Sequence, residues 1–246
     1  MFLHHEEFDS SRSVADIVEN DYRTADVFQK YDLAYCCGGR WSLETACMIK
    51  GVGLEQLRNE LQQASRTIQI PATLPFENWP PDFLVDYMIN VHHLYLRQTL
   101  PALELTLKQF AGDHTKKYPY LIPLLESFKS LQNKILFQIR EDEEFLFPYI
   151  RQVFFAWKNH SSCTGVFKKA LYKPVDLLKR FEILAGILDT WRALTNNYTP
   201  SEKICTSHRV ILFKLKELDS DLVQVIYLEK DILLPQVTKI EKDLQL

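Results

Sequence analysis

Four long stretches of this chain, at about residues 80 to 110, 117 to 157, 173 to 197 and 201 to 242, repeat their apolar residues at helical spacing. Only short polar breaks part them, AGDHTKKYP, KNHSSCTG and NNYTPS. Helices of that length with short connections favour antiparallel neighbours and an up-and-down four-helix bundle. The last break ends in Ser201, a residue suited to capping the final helix. With 7 Gly and 11 Pro in 246 residues, and few alternating β-branched runs, the chain lacks the punctuation of a sheet protein. The expected class is all-α.

Ahead of the bundle the apolar residues come in shorter bursts, VADIVEN, ADVFQKY, SLETACMIK and LEQLRNELQQA, parted by Asp21, a CCGG tract and the glycines at 51 and 53. We read residues 1–66 as a small helical domain, the proline-rich residues 67–79 as a linker and residues 80–246 as the bundle. The 29 basic and 32 acidic side chains are interspersed, so no electrostatic footprint for nucleic acid or anionic lipid stands out. No run approaches the ~20 apolar residues of a membrane span, and the polar, acidic start MFLHHEEFDSS differs from a signal peptide. We expect a cytoplasmic protein whose partners are small molecules or proteins, with no nucleic acid and no membrane. A module as small as the N-terminal one needs a surface to cover, which points to a homodimer.

The bundle's inward stripes are interrupted by polar residues. They run Ile89, His93, Leu96, Leu100 in the first helix and Leu131, Ile135, Gln138, Asp142, Phe145, Tyr149 in the second. In the third they run Val175, Leu178, Glu182, Ala185, Asp189, and in the fourth Ile211, Leu218, Leu222, Val225, Glu229, Ile232. A buried carboxylate is costly unless paired, protonated or bound to a cation, so His93, Gln138, Asp142, Glu182 and Glu229 need a joint explanation. A metal is the simplest one, and oxygen donors with one imidazole suit iron or manganese better than zinc. A metal-free core held by a base such as Lys134 or Lys179 is the rival. Of the other histidines, His4, His5, His92, His114 and His160 are expected at the surface or in connections, and His208 begins the last helix.

Adjacent cysteines close a strained eight-membered ring if they pair, so Cys36 and Cys37 are expected to act separately, in redox exchange or cluster contact. Gly38 and Gly39 allow close backbone approach, and Arg40 is placed to lower a thiol pKa. Cys47, inside a helix, reads as a small buried hydrophobe. Cys163 and Cys205 receive no role.

The run YDLAYCCGGRWSLETACMIKGV followed by LEQLRNEL resembles the N-terminal domain of the repair of iron centres family, also called YtfE/ScdA-like. FLFP at 145–148, AG at 185–186, LTNNYTP at 194–200 and LEKDILLP at 228–235 continue the resemblance over nearly the whole chain. It implies a hemerythrin-like bundle with a non-haem di-iron centre and a part in restoring iron-sulfur clusters damaged by nitric oxide or peroxide. Iron-sulfur proteins would then be the clients, and Cys36 and Cys37 would serve the repair or redox role. The family's six ligand positions fall on His93, Gln138, Asp142, Glu182, Val225 and Glu229, where only His93 and Glu229 keep the family's residue type. The implied cofactor is therefore iron in an altered site, with a di-iron centre, a mononuclear centre, another divalent metal or no metal all open. A nitric oxide or peroxide reducing enzyme and a metal-free sensing module are the alternative functions.

Overall fold

The computed structural model describes residues 8–36, 39–65, 74–161, 174–201 and 204–245. Among them regular structure is helical, with an isolated bridge between Ser13 and Ser42. The chain forms two compact units, residues 1–73 with 199–214, and residues 74–198 with 215–246. Residues 199–214, which the sequence pattern groups with the bundle, thus sit in the first unit.

In the first unit α1 (Val14–Asn20), α2 (Ala25–Lys30), α3 (Leu43–Lys50) and α4 (Leu54–Ala64) are short and firmly ended. The Ser13 hydroxyl accepts from the Asp16 amide at 3.0 Å and the Ser42 hydroxyl from the Thr45 amide at 3.2 Å, meeting amides that the first turns leave unpaired. Gly51 ends α3 in the left-handed region, φ 66°, as a C-terminal cap requires. Ile17, Phe28, Leu43, Leu57 and Leu61 fill the core, and Val210 joins the same cluster. Cys47 is buried there as expected. Gly39 is needed for steric reasons: a Cβ on it would lie 2.7 Å from the Tyr35 carbonyl oxygen, while the Ala15 amide donates to its own carbonyl at 2.9 Å.

The second unit holds the long helices α5 (residues 81–114), α6 (residues 121–158) and α7 (Pro174–Leu194), and most of α8 (residues 206–243). α6 packs against α5, α7 and the C-terminal part of α8. α8 starts at Thr206, so the capping position is Cys205 and Ser201 lies well before it. Fully buried Trp191 of α7 stacks on Phe128 at 5.5 Å and donates its indole N–H to the Ser127 hydroxyl at 2.9 Å.

Three of these helices contain a π turn, Met88–His93 in α5, Asp142–Leu146 in α6 and Leu228–Leu233 in α8. The amides of Leu94, Phe147 and Leu234 donate five residues back, to the carbonyls of Ile89, Asp142 and Glu229. Pro148 and Pro235 stand just beyond the second and third of them. Each lacks the N–H that would continue an unbroken α ladder, so the hydrogen-bond register is already disturbed there. The extra residue rotates the buried stripe. Phe145 is consequently exposed, and the interior positions after Asp142 are Leu146, Phe147, Tyr149 and Ile150. The stripe of α7 also differs from the sequence reading, since Leu177, Phe181, Leu184, Leu188 and Trp191 are inside while Leu178 and Glu182 are exposed. Apolar residues occupy neighbouring faces of α7, and burial of Trp191 selects the face one residue away from the expected one.

Candidate metal centre

The π turns place three ionisable side chains in the interior of the second unit. His93 ends the turn of α5, Asp142 begins that of α6 and Glu229 lies in that of α8, each about 1 % exposed. One ligand atom from each lies within 4.8 Å of the others. π turns recur at functional sites because they turn inward a residue that an α-helix would leave at the edge.

Around these three the polar groups are arranged in pairs. The Gln138 amide donates to Glu229 Oε2 at 3.1 Å and also hydrogen-bonds Asp142, so it ties the two acids together. His93 Nδ1 is 2.9 Å from Glu143 Oε1, and the Arg97 guanidinium grips the same carboxylate at 2.9 and 2.7 Å. A carboxylate on one imidazole nitrogen fixes the ring and leaves the other nitrogen as the ligand, an arrangement common behind metal-bound histidines. Burial pushes the His93 imidazole below its usual range, with Glu143 pulling part of the way back, so the ring is neutral and able to ligate. Burial alone would raise Glu143, but the hydrogen bonds from Arg97 and His93 outweigh it and hold that carboxyl low.

The two inner acids go the other way. Burial pushes the Asp142 carboxyl up to about 7 against the pull of Arg180 and Gln138. Burial, and then repulsion from Asp142, raises Glu229 well above the usual carboxylate range. Asp142 Oδ2 and Glu229 Oε1 are buried without a hydrogen-bond partner. Unpartnered oxygens on two acids beside a neutral imidazole form a donor set able to hold a cation, and one nitrogen with two oxygens suits iron or manganese.

The structure brings His93, Asp142 and Glu229 together, with Gln138 hydrogen-bonded to both acids. It does not bring Glu182 to them. Val225 is buried and has no donor atom, and Cys37 lies outside the described residues. Lys134 and Lys179 are exposed, and the cation acting on both acids is Arg180 of α7, which the sequence reading missed. His92 was expected at the surface and is buried, its Nδ1 2.7 Å from Asp221 Oδ1, because the π turn carries both consecutive histidines inside. Half-buried Glu143, which lies off the apolar stripe, backs His93.

Residues 10–65 match the domain family described as a domain of unknown function, DUF542 (ScdA_N). Over 215 residues the chain is 27% identical to the iron-sulfur cluster repair proteins YtfE of Citrobacter koseri and Escherichia coli O157:H7, an alignment covering 87% of this chain and 90% of each relative. With the protein of that name from Edwardsiella ictaluri it is 28% identical over 218 residues, at the same coverage. These likenesses support a divergent member of the repair of iron centres family. Of the six ligand positions that the family resemblance implies, the three meeting in space are those with an ionisable side chain turned inward. Among the described residues no helix is long and apolar enough to cross a membrane.

Proposed function

We propose that this protein takes part in iron-sulfur cluster repair under nitrosative or oxidative stress in the cytoplasm, and that its bundle binds a single non-haem iron ion through His93, Asp142 and Glu229. The observation that carries this reading is the pair of orphaned carboxylate oxygens beside the imidazole. A second ion has too few donors, because Glu182 faces out, Val225 offers none and the Gln138 amide is engaged with the acids. Glu143 and Arg97 hold the imidazole in place, Gln138 sets the separation of the two acids, and Arg180 offsets part of their charge. Iron held there supplies a one-electron couple whose potential carboxylate ligands lower relative to an imidazole-rich site. Cys36 and Cys37 serve the transfer or redox step toward an iron-sulfur client.

The test is metal analysis of protein produced in iron-supplemented medium, alongside a His93→Ala variant. About one iron per chain, lost in the variant, is the expected result. Less than about a tenth of an equivalent of any transition metal in folded wild-type protein would leave the metal-free reading, with Arg180 as the resident cation.

A further inference from the structure

The first compact unit carries an open cavity of its own. Its volume is about 330 Å³, near the lower end of sites that take small molecules. One wall is a stripe of α8, Thr206, Arg209, Val210 and Phe213, at the i, i+3, i+4 and i+7 spacing that shares a helix face. Val18 and Glu19 near the end of α1, and Tyr22 just beyond it, line the other side. Val18 and Val210 are each 1 % exposed and give the cavity an apolar floor. The rings of Tyr22 and Phe213 stack with centroids 5.2 Å apart and add an aromatic wall. Two opposite charges complete the lining. Glu19 is exposed and accepts from the Thr206 hydroxyl on Oε1 at 3.0 Å, which leaves its second oxygen for another donor. Arg209 is half-buried, and its Nε is shut off from water without a hydrogen-bond partner.

We propose that this cavity binds a free α-amino acid with an apolar or aromatic side chain. A buried N–H without an acceptor costs free energy that a ligand carboxylate recovers, and a guanidinium with a carboxylate makes the stronger, charge-assisted kind of hydrogen bond. Glu19 is the matching acceptor for an ammonium group. Thr206 holds Glu19 from a position one turn before Arg209 on α8, so the two charges stand side by side, as do the two charged groups on the α-carbon of an amino acid. A lone anion such as phosphate is opposed by Glu19, and a lone cation by Arg209. A zwitterion meets each charge with its opposite. The ligand side chain then covers Val18, Val210 and the two rings, where apolar surface leaves water and a charged side chain would lose its hydration. No residue of the cavity belongs to the metal centre, and the proposal does not rest on the repair reading.

The experiment is isothermal titration calorimetry of the full-length protein with L-phenylalanine and L-leucine, and with phenethylamine and 3-phenylpropionate, each of which lacks one of the two charges. The expected result is one site per chain for both amino acids, with each single-charge analogue bound about tenfold more weakly or worse, the effect of losing one charged hydrogen bond. Arg209→Met and Glu19→Gln should each weaken L-phenylalanine by about the same factor. Circular dichroism and the thermal midpoint show whether each variant is folded, and the analogue series on the wild type decides the matter even if one is not. No saturable binding of either amino acid, or phenethylamine or 3-phenylpropionate bound as tightly as L-phenylalanine, would overturn the proposal. So would equal binding of L-glutamate or L-lysine, or undiminished affinity in folded Arg209→Met.

Discussion

Replacing Asp142 by Asn in the metal-free protein should stabilise it, and the gain should grow with pH. The Asp142 carboxyl ordinarily loses its proton near 3.8 and in the folded chain near about 7, because it is buried. For an acid raised on folding, the unfolded chain releases the proton first. Stability is therefore greatest below 3.8 and falls as pH rises, until the folded carboxyl has also ionised above about 7. At ~1.4 kcal/mol for each tenfold change in proton affinity, the full penalty is about 4 kcal/mol, of which about 3 kcal/mol develops between pH 5 and pH 8. Asn keeps the size of the side chain and its hydrogen bond to Gln138 while removing the charge. The assay is urea denaturation of chelator-treated wild type and Asp142→Asn at several pH values in that range. Taking the difference between the two proteins cancels the titration of groups remote from Asp142. Wild type should fall behind the variant by up to about 3 kcal/mol between the two ends of the range. A gap that stays constant, or a variant less stable than wild type at pH 8, would refute the reasoning. Adding ferrous iron should reverse the order, since only wild type gains stability from binding a ligand in the folded state.

Other consequences can be checked in the same way. Arg180→Met removes the cation that lowers both inner acids, so the metal-free variant should be less stable than wild type at pH 8 and nearly equal to it at pH 5, by urea denaturation. Gly39→Ala should destabilise the first unit by about 1–3 kcal/mol, read as a lowered thermal midpoint, because the added methyl meets the Tyr35 carbonyl and not a flexible side chain. Burial alone would raise Asp21, but the hydrogen bonds and charge of Arg23 outweigh it and hold the carboxyl below its ordinary 3.8. That stabilisation is present above 3.8 and is lost as pH falls through the lowered value, so Asp21→Asn should flatten the acid side of the stability profile.

The helical class was legible because the apolar period is long and glycines are few within it. Three of the site residues were legible for a related reason: His93, Asp142 and Glu229 are polar where packing alone calls for an apolar side chain. Arithmetic on a 3.6-residue period failed where the helix itself departs from that period. It left His92 outside and Phe145 inside, and the structure reverses both because each sits in a π turn. In α7 the failure had another cause. Several faces of that helix are apolar, so spacing alone did not settle which one goes inside, and Glu182 was turned inward where Arg180 belongs.

The three π turns make the centre separable from the scaffold that carries it. A π turn amounts to one residue inserted into an α-helix, so deleting a single residue within Glu143–Leu146 or Lys230–Leu233 would return the local ladder to α register. The rest of the helix would keep its length almost unchanged, but the side chains on the two sides of the deletion would be turned by about 100° relative to one another. A lineage can thus gain or dismantle such a centre by indels of one codon without altering the order of its helices. Alignments of relatives that treat these segments as gap-free helix would place the ligands in the wrong columns.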